Sequence, residues 1–134
     1  MIGIVIVAHG GLAREYLAAI THVVGTQSGI IAITIENNHD RDAKQSEICQ
    51  AADEVDKGDG VVVVTDMFGG SPSNLSLKAC RLSNRRILYG ANLPMLIKLA
   101  KSRQKALPDA VRDALDAGRK YIDSQNVSVE HNAQ

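Results

Sequence analysis

Four short apolar runs recur along the chain, and each is followed by a stretch in which apolar and polar residues are mixed. The runs cover residues 2–8, 30–35, 61–65 and 87–91, and the last of them is the weakest. The first three are almost continuously apolar and rich in valine and isoleucine, which is typical of strands buried on both faces of a parallel sheet. The pattern therefore predicts four strands.

Between and after these runs, apolar residues recur at helical spacing. The helices expected in chain order are a segment from Leu12 that Gly25 closes, a segment from Asp40 to Gly58, a segment marked by Leu75, Ala79 and Leu82, and the segments 94–101 and 108–124. Pro72, Pro94 and Pro108 all fall where the first turn of a helix tolerates proline.

Alternation of strands and helices predicts a doubly wound α/β fold. We expect a sheet of four parallel strands in the order 2-1-3-4, with helices on both faces. Residues 1–125 form this domain. Residues 126–134 are polar and predict a C-terminal tail, although the alternation of Val127 and Val129 leaves open a fifth, antiparallel edge strand.

The composition is that of one globular domain. Of the 134 residues, 45% are hydrophobic and 22% charged, which excludes intrinsic disorder for most of the chain. Fifteen basic residues balance 15 acidic ones, and this zero net charge argues against nucleic-acid binding. No apolar run approaches the ~20 residues of a membrane span, so no membrane insertion is expected. Two widely spaced cysteines and an N-terminus without a basic leader indicate a cytoplasmic protein with reduced thiols.

Two chemically active side chains stand at strand ends. His9 ends the first apolar run, and Asp66 follows the third. In the order 2-1-3-4 these strands are neighbours, so the two side chains should emerge side by side at the carboxyl edge of the sheet, where ligands bind in such folds. A carboxylate on one ring nitrogen would leave the other as a nucleophile. Gly10, next in the chain, would leave the ring open to a large partner.

A glycine-rich turn follows Asp66. Residues 69–72 read Gly-Gly-Ser-Pro, which predicts a turn into a helix with Ser71 as N-cap and Pro72 as the first helical residue. The free N–H groups of such a turn suit an anion. Beside His9 and Asp66 the turn becomes a candidate phosphate-binding loop.

Other chemistries fit the residues less well. The GxxxxGK[ST] and GxGxxG motifs are absent. A Ser71-His9-Asp66 hydrolase triad lacks an oxyanion donor, because Pro72 has no N–H. A receiver domain would need acidic residues where His9 stands, and a zinc site of His9, Asp66 and His39 has no obvious support. The remaining hypothesis is a histidine that accepts and passes on a phosphoryl group without a metal or cofactor.

Three stretches carry a family resemblance: GIVIVAHG at 3–10, VTDMFGGSPSN at 64–74 and GANLPML at 90–96. Together they resemble the enzyme IIA domain of the mannose family of the bacterial phosphoenolpyruvate-dependent phosphotransferase system (PTS), over roughly residues 1–124. The resemblance implies that His9 is phosphorylated, on Nε2, by the carrier protein HPr. It also implies that Asp66 orients the ring.

The resemblance further implies roles for the surrounding residues and a set of partners. Gly70, Ser71 and Ser73 would bind the phosphate, and Gly10, Phe68 and Asn92 would line the site or contact a partner. The acceptor would be a IIB protein, which passes the phosphoryl group on for sugar phosphorylation and uptake. Members of the family are typically homodimers with an exchanged C-terminal strand.

Two alternatives stay open. The protein is either a transport component or a stand-alone regulatory module whose His9 phosphorylation state controls binding to another protein. A phosphoryl-carrier subunit that serves dihydroxyacetone kinase is a third option, which fits the glycine-rich stretches less well.

Overall fold

The computed structural model describes residues 1–67 and 69–128. Its elements are, in chain order, β1 (Gly3–His9), α1 (Leu12–Val24), β2 (Ile30–Ile35), α2 (Arg41–Val55), β3 (Val61–Thr65), α3 (Ser71–Ser76), a 3₁₀ turn (Lys78–Cys80), β4 (Arg85–Leu88), α4 (Leu93–Lys101) and α5 (Leu107–Lys120).

The four strands form one parallel sheet in the order β2-β1-β3-β4, which confirms the predicted fold class. In β1, Ile4, Ile6 and Ala8 face the core shared with α1, α4 and α5. Val5 and Val7 face the opposite core, which α2 and α3 cover. Because both faces are buried, the strand needs an unbroken apolar run rather than an alternating one.

The fourth strand starts two residues earlier than predicted and ends three residues earlier, at Arg85–Leu88 rather than 87–91. The apolar pattern missed its start because Arg85 is buried by a charged network rather than by apolar neighbours. Its guanidinium donates to Asp53 at 2.7 Å and to Asp56 at 3.3 Å. Beyond the strand the chain turns at Gly90, whose φ is +74°.

The third helix is much shorter than its apolar spacing predicts. It ends at Ser76, and the chain tightens into the 3₁₀ turn, where the Leu77 N–H reaches the Asn74 carbonyl at 3.4 Å. Arg85 then donates to the Ala79 carbonyl at 3.0 Å, which satisfies an acceptor that a longer helix would have used. Leu82, expected on the buried stripe, is 55% exposed.

The remaining helices keep their predicted starts more closely than their ends. Asp40 caps α2 by accepting from the Ala43 N–H at 3.1 Å, and all three prolines lie in the first turns of their helices. However, α2 ends at Val55 rather than Gly58, and α5 at Lys120 rather than 124.

The described part of the tail, residues 122–128, contains no strand. Val127 is 71% exposed there, and Val129, the other half of the proposed alternation, lies outside the described residues. No helix within residues 1–67 and 69–128 combines the length and apolar character that crossing a membrane requires.

Candidate functional site

The carboxyl edge of the sheet brings His9 and Asp66 together. His9 is the last residue of β1, and Asp66 directly follows β3. The two strands are hydrogen-bonded neighbours whose register pairs Val7 with Thr65, so Asp66 lies within one residue of the level of His9. Two rigid strand ends therefore fix their separation.

One carboxylate oxygen holds His9 at two points. Asp66 Oδ2 accepts a hydrogen bond from the His9 backbone N–H at 3.0 Å and lies 2.8 Å from His9 Nδ1. Because an ionised carboxylate only accepts, this contact places the proton of a neutral ring on Nδ1 and leaves the lone pair on Nε2. The His9 side chain is 47% exposed and that of Asp66 only 11%, so the ring is accessible and its partner is not.

The second oxygen of the same carboxylate has no such anchor. Asp66 Oδ1 and the hydroxyl of the preceding Thr65 are buried and lack a hydrogen-bond partner among the described residues. Buried polar atoms without partners are uncommon and often occur at functional sites. The orientation of the carboxylate therefore depends on how the backbone at Thr65 and Asp66 is held.

The glycine-rich turn approaches the imidazole ring. A Cβ atom added at Gly70 would lie 3.4 Å from His9 Cε1, the ring carbon between the two nitrogens. Gly69, with φ +84°, makes the turn that brings the chain there. The absence of a side chain at Gly70 keeps the space beside Cε1 free.

The structure corrects the expected cap of the third helix. Gly70, rather than Ser71, is the N-cap, Ser71 is the first helical residue, and Pro72 is the second. Ser73 is buried, and its hydroxyl accepts from the Gly69 N–H and donates to the Gly70 carbonyl, both at 3.0 Å. The Ser73 side chain therefore holds the turn in shape. With only six residues, α3 offers individual N–H groups to an anion rather than a large dipole.

The residues assigned to the site wall fall into three situations. Gly10 adopts φ +55°, and a Cβ atom added there would meet nothing within 4 Å, so the space beside His9 is open. Asn92 caps α4 by accepting from the Met95 N–H at 3.0 Å and donates to the Gly118 carbonyl at 2.8 Å. Both ends of its amide are therefore engaged in holding α4 and α5. Phe68 lies outside the described residues.

Tyr16 lies in the helix predicted from Leu12 and was not a candidate site residue, yet the structure brings it near the site. Its hydroxyl donates to the Ala91 carbonyl at 3.2 Å. Burial, and secondly the negative charge of Asp66, raise the pKa of Tyr16 above its usual value. A lone tyrosine at helical spacing carries no sequence signal that would distinguish this position from an ordinary core position.

The described histidines and acidic residues do not gather into a metal site. Within residues 1–67 and 69–128, no group of three or more His, Cys, Asp or Glu side chains could hold a metal ion. His39 was considered as the third ligand of a zinc site with His9 and Asp66. Its Nδ1 lies 2.6 Å from the Glu36 carbonyl oxygen.

The fold is that of the PTS IIA components. The crystal structure of the phosphotransferase system component EIIA from Streptococcus agalactiae matches with a TM-score of 0.82 and 24% identity, over 92% of this chain and 97% of that one. The mannose/sorbose-specific IIA subunit from Enterococcus faecalis matches with a TM-score of 0.82 and 20% identity, over 94% and 96% of the two chains.

Comparison at the level of sequence shows which family of PTS IIA components the chain belongs to. The EIIA-man family model, described as the PTS system fructose IIA component, matches residues 3–115. A protein of Escherichia coli (strain K12) named "Putative phosphotransferase enzyme IIA component YadI" is 26% identical over 116 residues, which are 86% of this chain and 80% of that protein. The chain belongs to the EIIA-man family, and its general role is that of a phosphoryl carrier in the phosphotransferase system.

Proposed function

We propose that His9 is the phosphoryl acceptor, which takes the group from phospho-HPr on Nε2 and passes it to a IIB protein for sugar phosphorylation and uptake. One observation carries this assignment: Asp66 Oδ2 lies 2.8 Å from Nδ1 on a ring that is half exposed. This contact leaves Nε2 as the free nucleophile on the accessible part of the ring.

The transfer needs no group beyond the two proteins. The Nε2 lone pair attacks phosphorus, and the bond from phosphorus to the donor side chain breaks with its electron pair going to the donor. The His9 ring becomes cationic as the new nitrogen–phosphorus bond forms, and Asp66 stabilises that charge through the Nδ1 proton. Attack on the same phosphorus by the acceptor side chain returns the ring to its neutral form.

We assign the phosphate-binding role to the turn that contains Gly70, Ser71 and Ser73. The close approach of Gly70 to His9 Cε1 supports this assignment, because the phosphoryl group on Nε2 would extend beside the same ring edge. The N–H groups of Ser71 and Ser73 belong to the first helical turn and lack intrahelical acceptors by their position. Gly10, Phe68 and Asn92 remain proposed wall or partner-contact residues.

The assignment is tested with phosphoenolpyruvate, enzyme I and HPr as the donor system. The wild type should gain one acid-labile, base-stable phosphoryl group, and His9→Ala should gain none while keeping its fold. The matched control is His22→Ala, which removes an exposed histidine from α1 and should be phosphorylated at the wild-type rate. Normal phosphorylation of His9→Ala would contradict the proposal.

Asp66→Asn should slow the transfer without removing the acceptor. The amide of asparagine can present an N–H to Nδ1, and the ring would then place its proton on Nε2, the wrong nitrogen for attack. We expect a loss of about 10- to 100-fold in rate, the range seen when a group that orients a histidine ligand is removed. Rapid-quench phosphorylation kinetics give the rate. An unchanged rate would show that Asp66 does not orient the ring.

The acceptor distinguishes transport from regulation. Purified phosphorylated protein should transfer its phosphoryl group to an added IIB protein. Failure to donate, together with a partner that binds only one of the two phosphorylation states, would replace the transport role with the regulatory one.

The same preparation tests the proposed homodimer, since sedimentation equilibrium should give twice the 14.4 kDa mass of the chain.

A further inference from the structure

The backbone that carries Asp66 is held by a loop on the far side of β3. The Ala91 N–H donates to the Thr65 carbonyl at 3.0 Å, beyond the last β3–β4 register pair of Val64 with Leu88. This bond fixes the peptide unit immediately before Asp66. It is important for the site because Asp66 Oδ1 has no hydrogen-bond donor among the described residues that would orient the carboxylate from its other side.

The same loop residue is held in turn by helix α1. The Tyr16 hydroxyl donates to the Ala91 carbonyl at 3.2 Å, so both polar groups of Ala91 are engaged. Tyr16 and Ala91 both pack against the core beneath α1 and α4. Helix α1 starts at Leu12, three residues after His9. Tyr16 therefore links the helix that follows the proposed acceptor to the loop that holds its carboxylate partner.

We propose that Tyr16 is a positioning residue for phosphoryl transfer, and that its hydroxyl acts through Ala91 on the Asp66 carboxylate and thereby on the His9 ring. This inference rests on the proposed function of His9. The hydroxyl is a dependable donor for this purpose, because burial and the neighbouring charge of Asp66 both raise its pKa and favour the protonated phenol. Its removal frees the Ala91 carbonyl and lets the backbone before Asp66 shift.

The test is a double-mutant cycle of Tyr16→Phe and Asp66→Asn, with phosphorylation rate as the first readout. Tyr16→Phe keeps the ring in the core and removes only the hydroxyl. We expect it to slow transfer to His9 roughly 3- to 10-fold, less than the roughly hundredfold cost of a full 1 Å misplacement. In the Asp66→Asn background the same change should have almost no effect. The matched control, Tyr121→Phe, removes the hydroxyl of a tyrosine that is 66% exposed and should leave the rate unchanged.

The second readout is the ¹⁵N spectrum of the His9 ring in unphosphorylated protein. The wild type and Tyr121→Phe should show the Nδ1–H tautomer, and Tyr16→Phe should show a smaller Nδ1–H fraction in a folded protein. Equal tautomer populations in the wild type and both tyrosine variants would overturn the inference. So would an equal rate loss from Tyr16→Phe with Asp66 and with Asn at position 66. If the wild type accepts no phosphoryl group, the proposed function fails, whereas the ring spectrum still decides the role of Tyr16.

Discussion

At the scale of single residues, one carboxylate oxygen determines which nitrogen of the His9 ring keeps a free lone pair. Asp66 Oδ2 binds both the backbone N–H and Nδ1 of His9: the backbone contact holds the carboxylate in place, and the ring cannot rotate away without losing the Nδ1 contact. Hydrogen bonds to a charged group contribute about 1.5–3 kcal/mol each, enough to favour one orientation strongly. The ring is thus held in the orientation that the proposed transfer requires.

The space beside the ring is kept free by Gly70, and filling it should impair transfer more than folding. The Gly70 backbone is extended, with φ −86° and ψ 175°, so a β-branched residue fits the backbone without strain. In Gly70→Val the added methyl groups would crowd His9 Cε1 and the phosphoryl group on Nε2. We expect the phosphorylation rate to fall at least about tenfold. Gly70→Ala, with one carbon at 3.4 Å, should lose less.

The graded pair of variants also provides the control. Urea unfolding should give similar midpoints for wild type, Gly70→Ala and Gly70→Val, because Gly70 has its nearest neighbours in His9, Met67 and Pro72 at the surface turn. A wild-type rate in a folded Gly70→Val would mean that the phosphoryl group does not occupy this side of the ring.

The expected placement of His9 beside Asp66 is observed, because each residue stands at the end of a strand. His9 and Asp66 stand at the ends of two apolar runs, and the order 2-1-3-4 expected for a doubly wound fold makes these strands neighbours. The contacts of Tyr16 and Asn92 were missed because each side chain bonds to a carbonyl 75 or 26 residues away. No local pattern encodes such a contact.

At the scale of elements, β1 and α2 approach so closely that only glycine fits between them. A Cβ at Gly3 would lie 2.3 Å from the Val55 carbonyl oxygen, which is backbone and cannot rotate away. Gly3→Ala should therefore destabilise the protein by about 1–3 kcal/mol through overpacking. Chemical denaturation measures this loss.

The control for that prediction is Gly11→Ala. An added Cβ at Gly11 meets nothing within 4 Å, and the φ of −85° suits alanine, so its unfolding midpoint should stay near that of the wild type. Equal stability of Gly3→Ala and Gly11→Ala would contradict the close approach of β1 and α2.

Apolar periodicity predicted the elements well where burial is apolar and poorly where polar contacts decide. It gave β2 and β3 with their observed bounds. It misplaced β4 because Arg85 is buried against carboxylates. It overextended the third helix, which ends at Ser76 and passes into the 3₁₀ turn at Lys78–Cys80. The error at β4 traces to one buried cation, whose carboxylate partners lie 32 and 29 residues away in the sequence.

At the scale of the whole molecule, the edge of the sheet opposite His9 is held together by Arg103. Its guanidinium donates to the Ile2 carbonyl at 2.7 Å and to the Gly29 carbonyl at 3.1 Å, and a third nitrogen lies 3.4 Å from Gln27 Oε1. Burial lowers the pKa of Arg103 from its ordinary value. The side chain joins the first strand, the second strand and the α4–α5 connection.

Arg103→Met should consequently weaken the fold and leave the chemistry intact. The change removes the guanidinium that donates to the Ile2 and Gly29 carbonyls, and we expect a loss of about 2–4 kcal/mol in unfolding free energy. Phosphorylation of the folded fraction should proceed at the wild-type rate, because the site lies at the other edge of the sheet. Arg112→Met, which removes an exposed guanidinium paired with Asp109, serves as the control and should change stability by less than about 1 kcal/mol. A stable Arg103→Met protein would contradict the structural role of Arg103.

The overall topology could be predicted because parallel β-α-β connections are right-handed and the strands stand out as apolar runs. Family and general role followed from three short motifs placed at strand ends. The donor, the acceptor and the association state depend on surfaces of other molecules, which leave no periodic pattern in this chain.

Phosphorylation of His9 on Nε2 underlies the proposed functions of this protein. It is detected directly by ³¹P NMR after incubation with phosphoenolpyruvate, enzyme I and HPr. We expect a single protein-bound resonance, characteristic of Nε2-phosphohistidine, that is absent from His9→Ala. A resonance from Nδ1-phosphohistidine, from another residue type, or one that persists in His9→Ala would show that the assignment is wrong.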